Sequence, residues 1–165
     1  MRITLVRGDI CTQDVDAVVT AANEPLRGGG GVDHAVHQAA GPRLLRALRP
    51  LAPCPAGSAV VTPSFDLAPA RWVIHAVGPR HRDPGAADTL QQAYVSALRR
   101  ADEVGAASVA FPSISTGSYG YPVSEAAVLS VAALQGADTA VDHVVLVAFG
   151  REVEDGWRSA LEMGE

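Results

Sequence analysis

Asp33 follows the four consecutive glycines Gly28 to Gly31 with only Val32 between, so an acid stands beside backbone suited to anions. Glycine enters φ > 0 conformations and lets other atoms approach its N–H closely. Where such a run opens a helix, the free N–H groups and the helix dipole favour phosphate-like anions. A cradle for phosphate alone gains nothing from a carboxylate, so Asp33 points to chemistry at the bound anion. As a plain turn the run would only place Asp33 well at a helix N-terminus, worth about 0.3–1 kcal/mol. Four glycines are a heavy entropic cost for that alone.

A second loop, Pro112-Ser113-Ile114-Ser115-Thr116-Gly117-Ser118-Tyr119-Gly120-Tyr121-Pro122, adds N–H groups, three serines and one threonine. It suits the other side of a diphosphate. Alone it reads equally well as an ordinary strand-to-helix loop; beside the glycine run, the phosphate reading gains. Rival chemistries fail on spacing. The dinucleotide fingerprint GxGxxG would need glycine at Asp33 or His34, and no register of the second loop gives the nucleophile elbow GxSxG. All thirteen basic residues are arginines, which removes a P-loop lysine, a Schiff-base lysine and a lysine nucleophile together. His34 and His37 share a helix face without an evident third ligand, so no metal site is expected. Asp33 and His37, spaced i,i+4, can pair on that helix or relay a proton; the spacing suits both.

The elements that must hold these loops follow from periodicity. Ile3 to Val6, Ala17 to Thr20, Ala59 to Thr62, Trp72 to Val77, Ser108 to Phe111 and Val144 to Phe149 read as strands, several too apolar for a wet face. Helical spacing runs over Val32 to Ala40, Leu44 to Leu48, Thr89 to Val104, Ser124 to Leu134 and Glu152 to Met163. In the third, Thr89 or Asp88 is placed to cap the start and Gly105 to end it. Arg80 to Ala87 reads as an exposed loop, and His75 as a hydrogen-bonded core histidine. Arg43, Arg46 and Arg49 read as a solvated helical stripe, Trp72 and Trp157 as packing residues. The alternation predicts an α/β sandwich with a largely parallel sheet, one domain over residues 1–165. Ligands in such sheets gather beyond the carboxyl ends of the strands. Gly8-Asp9-Ile10, Ala22-Asn23 to Gly31, Pro112 to Gly120 and Phe149-Gly150 all leave strands there and can line one cleft.

The net charge of −5 gives no footprint for general nucleic-acid binding. Cys11 and Cys54 lack framework spacing and read as free buried thiols in a reducing compartment. With neither a signal-peptide core nor a membrane-length apolar run, the expected location is cytoplasmic.

Taken in order, Gly8-Asp9-Ile10, Ala21-Ala22-Asn23, Gly28 to Asp33, Ala39-Ala40-Gly41-Pro42, Val73-Ile74-His75-Ala76-Val77-Gly78-Pro79 and Pro112 to Pro122 resemble the macrodomains. The similarity is greatest to the branch that hydrolyses ADP-ribose on acidic side chains. That resemblance implies a three-layer α/β/α sandwich on a mixed sheet of about six strands. It also implies a monomer with an ADP-ribose cleft and no cofactor. Asp9 would accept from the adenine amino group, Ile10 pack on the base and Phe149 stack on it. Asn23, beside Ala22, would hold the distal ribose, and Gly29, Gly30, Gly31 and Val32 would close over diphosphate and ribose. Ser115, Thr116, Gly117, Ser118 and Tyr119 would wrap the diphosphate, the Tyr119 ring against the distal ribose. Asp33 would be the catalytic acid–base group, aided by Asn23 and Gly30.

The chain departs from the family pattern at Thr20, Glu24, His34 and Tyr119. Thr20 is expected to touch only scaffold hydrogen bonds, while Glu24 and His34 would lie near the leaving group. The implied activity is removal of mono-ADP-ribose from acidic side chains of proteins, with deacetylation of O-acetyl-ADP-ribose. Alternatives are a non-catalytic ADP-ribose reader and a hydrolase of ADP-ribosylated nucleic acid. The net acidity of the chain disfavours the latter.

Overall fold

The computed structural model describes residues 1–164. Six strands, β1 (Arg2–Arg7), β2 (Ala17–Ala22), β3 (Ala59–Pro63), β4 (Trp72–Val77), β5 (Ser108–Phe111) and β6 (His143–Ala148), form one sheet. Its order is β1-β6-β5-β2-β4-β3, and every pairing is parallel except β3 with β4. Five helices cover it: α1 (Gly31–Ala40), α2 (Arg43–Leu48), α3 (Ala86–Glu103), α4 (Val123–Gly136) and α5 (Arg151–Met163).

Strand alternation divides the core into two layers. Ala17 and Val19 of β2 face one side, with Ile74, Val109, Phe111, Val144 and Leu146 from neighbouring strands. Leu90, Tyr94 and Leu98 of α3, Leu134 of α4 and Trp157 of α5 pack on that face. Val18, between them, faces the other way with Val73, Ala110 and Val145, under Val36 and Ala40 of α1 and Leu44 of α2. Both faces of the sheet are therefore dry, which explains strands that read as continuous apolar runs. The result is the expected α/β/α sandwich on a mixed, mostly parallel sheet.

The differences from expectation are local. Helix α3 starts at Ala86 rather than Thr89, because Gly85 takes the left-handed N-cap conformation (φ 68°) that a side chain would resist. Thr89 Oγ donates to the Gly85 carbonyl inside the first turn (3.1 Å), and neither it nor Asp88 is the cap. The end of α3 is as expected, with Gly105 at φ 71° just beyond Val104. Phe149 lies past the end of β6, and Ala86 is a buried helical residue rather than loop. Cys54 is buried, but Cys11 is only half-buried. Single 3-10 turns at Ile10–Thr12 and Arg49–Leu51 lacked a periodic signature because each is three residues long. Trp157 is packed as expected, its indole N–H donating to Ser130 Oγ at 3.0 Å.

Candidate functional site

The carboxyl ends of β1, β2, β4, β5 and β6 open into one cleft of about 1140 Å³. All four expected segments reach it. Its walls include Asp9, Ile10, Ala22, Asn23, Gly29, Gly30, Gly31, Val32 and Asp33 on one side. Ser115, Thr116, Gly117, Ser118, Tyr119 and Phe149 line the other. Every residue expected to bind ADP-ribose or act in catalysis lines this cleft, while Leu26, Arg27, Gly28, Gly120 and Gly150 of the flagged segments stay out of its lining.

At one end, Asp9 Oδ1 accepts from the Cys11 N–H (2.8 Å), which fixes the turn carrying Ile10. Phe149 is 87 % exposed, a large apolar ring held in water at the cleft mouth. At the other end the glycine loop runs into α1. Asn23 shapes it: its amide donates to the Gly28 carbonyl (3.0 Å) and accepts from the Arg27 N–H (3.2 Å). Gly28 (φ 85°) and Gly31 (φ 58°) need glycine for their conformation. Gly30 does not (φ −87°), but a Cβ there would meet nothing within 4 Å and would point into open space.

Asp33 sits on the inner face of the first turn of α1 and is only 2 % exposed. The Thr20 hydroxyl on β2 donates to its Oδ1 at 2.9 Å, and His37 Nε2 lies 3.7 Å from the same oxygen. Burial pushes the Asp33 carboxyl above the ordinary carboxylate range; the Thr20 hydrogen bond, His37 and the Gly29 backbone pull the other way. Thr20 is therefore not mere scaffold. It contacts the acid directly, a role hidden because a threonine in an apolar strand gives no sign of what its hydroxyl faces.

Of the two histidines flagged on α1, His37 turns inward and His34 is exposed and outside the cleft lining. The neighbour that spacing could not reveal comes from β4. His75, fully buried, bonds Thr62 Oγ through Nε2 at 3.0 Å and leaves Nδ1 without a partner. Burial, then the nearby His37, lowers its pKa to about 3, so it is neutral. Asp33, His37 and His75 each bring one donor atom within 4.8 Å of the others.

The second loop is held more firmly. Tyr94, buried on α3 and stacked on Phe111, receives the Ile114 N–H (3.0 Å) and donates to the Pro112 carbonyl (3.2 Å). Its burial raises the phenol to about 12. Ser115, in left-handed backbone (φ 70°), donates to the Pro79 carbonyl at 2.6 Å. A Cβ at Gly78 would overlap Ser115 Oγ, so glycine there is what lets β4 and this loop meet. Arg80 completes this wall, its guanidinium 5.4 Å from the Tyr119 ring centre. Gly78, Arg80 and Asp83 were not singled out for the cleft; the last two fell in what reads as an exposed loop.

With this geometry in place, the comparisons are consistent. The family model of the Macro domain matches residues 19–130, and the chain belongs to that family. A macro domain-containing protein of Xanthomonas axonopodis pv. citri is 42 % identical, with 100 % of this chain and 98 % of the relative covered. A protein of Enterobacter cloacae named O-acetyl-ADP-ribose deacetylase is 49 % identical over 79 % of this chain and 75 % of its own length. Among solved structures, an Oceanobacillus iheyensis macrodomain variant with ADPR superposes with a TM-score of 0.90 at 35 % identity. That match covers 96 % of this chain and 91 % of the other. The Trypanosoma brucei macrodomain in complex with ADP-ribose gives a TM-score of 0.86 at 35 % identity, covering 99 % and 69 %. No helix among the described residues is long and apolar enough to cross a membrane.

Proposed function

We propose that this macrodomain is a hydrolase that removes mono-ADP-ribose from acidic side chains of proteins and cleaves small esters such as O-acetyl-ADP-ribose. The observation that carries the reading is Asp33, an acid buried at the glycine-loop end of the cleft with its pKa raised. A module that only bound ADP-ribose would keep that buried carboxyl at a cost and gain nothing from it.

In this reading Asp9 takes the adenine amino group, with Ile10 and Phe149 on the base. Ser115 to Tyr119 wrap the diphosphate, and Gly29 to Val32 close over it towards the distal ribose. Asn23 holds that ribose while keeping the glycine loop in shape. A water between Asp33 and the α-phosphate attacks the ester, and Asp33 accepts its proton. The ester C–O bond breaks, leaving a free carboxylic acid and the ribose hydroxyl. Glycine-loop N–H groups stabilise the charge that develops during attack. The raised pKa makes Asp33 a stronger base once ionised. The protein works as a monomer, as one domain over residues 1–165, with no cofactor.

An ester offers water either a carbonyl carbon or a carboxylate leaving group, whereas serine- and arginine-linked ADP-ribose offer neither and depart poorly without an acid. With His34 outside the cleft lining, Glu24 is the one of the two residues expected near the leaving group that lines the cleft. Incubation with glutamate-linked and serine-linked ADP-ribosylated peptides tests the reading. Release from the glutamate-linked peptide alone is expected. Binding of ADP-ribose without release from either would leave a reader.

A further inference from the structure

A second recess of about 820 Å³ adjoins the cleft. Its lining includes Glu24, Pro25, Leu26, Arg27, Leu45 and Arg49, and it shares Glu24 and Pro25 with the cleft. The two hollows therefore meet at one ridge, next to the glycine loop. The recess is built, not accidental. Leu26, buried in left-handed backbone (φ 55°), anchors the loop after β2, and the Cys54 N–H donates to the Glu24 carbonyl at 2.8 Å.

Its charge runs against that of the molecule. The chain carries −5 overall, yet between His34 and Phe65 it has no acidic residue and three arginines, Arg43, Arg46 and Arg49. Arg43 is used internally, paired to Asp66 at 2.9 Å. Among the described residues, neither Arg27 nor Arg49 has an acidic partner within 4.0 Å, and both are exposed. Glu24 opposes them, but its Oε1 is turned to the Ala56 N–H (3.4 Å). Apolar Pro25, Leu26 and Leu45 line the recess with them.

We infer that this recess receives the polypeptide of the modified protein and favours acidic residues flanking the ADP-ribosylated one. The inference rests on the hydrolase reading, since it needs a peptide leaving the cleft at the ribose end. Nucleotide contacts stay in the cleft; Arg27 and Arg49 act only on what is attached to it. Such exposed pairs contribute little each, and together they act mainly through encounter and are weakened by salt.

The test uses two peptides carrying ADP-ribose on a single glutamate, one with aspartate flanks and one with arginine flanks, with O-acetyl-ADP-ribose as the substrate that has no peptide. The wild type should favour the acidic peptide by about fivefold in kcat/KM, through KM, with the preference shrinking as salt rises. Arg27→Glu with Arg49→Glu should remove or reverse that preference and leave O-acetyl-ADP-ribose turnover unchanged. Equal wild-type rates on the two peptides would overturn the recess assignment alone. So would a double variant that keeps the preference. Failure to turn over any of the three substrates would instead overturn the hydrolase reading.

Discussion

The two loops that face each other across the cleft are built on opposite principles. The serine loop, Pro112 to Pro122, is fixed from beneath by Tyr94, which satisfies both Ile114 N–H and Pro112 C=O, and from the side by Ser115 on Pro79. The glycine loop is shaped by the Asn23 amide and by residues with no Cβ, with its backbone otherwise left open. One wall is a cradle pinned by the hydrogen bonds of Tyr94 beneath it and of Ser115 at its side. The other keeps its backbone bare, with an acid beneath it. An anion can be gripped by either, but it is the glycine side that carries the buried carboxyl, Asp33.

The largest effect should come from blocking the bare side. Gly30→Glu is expected to abolish both ADP-ribose binding and hydrolysis while leaving the melting temperature near that of the wild type. The position has ordinary backbone and open space around it, so the side chain fills the cleft without straining the fold. Calorimetric titration and thermal unfolding check this pair of outcomes; a large stability loss would mean the loop is more constrained than it looks.

Tyr94→Phe breaks the other wall in the opposite sense. It strands a buried N–H and a buried C=O, at about 1–3 kcal/mol for each unsatisfied group, so stability should fall clearly. Binding should weaken less than in Gly30→Glu. Denaturant unfolding beside titration reads both; unchanged stability would show that the serine loop is not held from below.

The smallest effect sharpens the account of the acid. Thr20→Val removes a hydrogen bond that lowers the Asp33 pKa, so that pKa should rise further. Since catalysis needs the ionised base, the acid limb of the pH–rate profile should move to higher pH, with the rate well above it little changed. A shift to lower pH, or none, would separate Thr20 from Asp33 function.

The same contrast explains what could be read from the chain. Glycine and serine runs advertise themselves, and dry strands between periodic helices gave the layers and the cleft end. Thr20, Tyr94 and His75 did not stand out as site residues, because each sits in a regular element and acts through a hydroxyl or ring whose direction depends on tertiary packing. His34 erred the other way. It adjoins Asp33 in sequence, yet helix geometry turns consecutive residues about 100° apart and sends it to solvent. Gly85 was missed as the start of α3 because a left-handed N-cap lacks the usual side-chain signature.

The central claim is that Asp33 serves chemistry rather than affinity, and Asp33→Ala tests it most directly. ADP-ribose affinity and hydrolysis of a glutamate-linked ADP-ribosylated peptide are measured on the same preparation. The account predicts that hydrolysis falls by two orders of magnitude or more, about the range of a lost general base. Affinity should be kept, or raised by relief of repulsion from the diphosphate. Full turnover in the variant, or loss of binding in step with loss of hydrolysis, would contradict it.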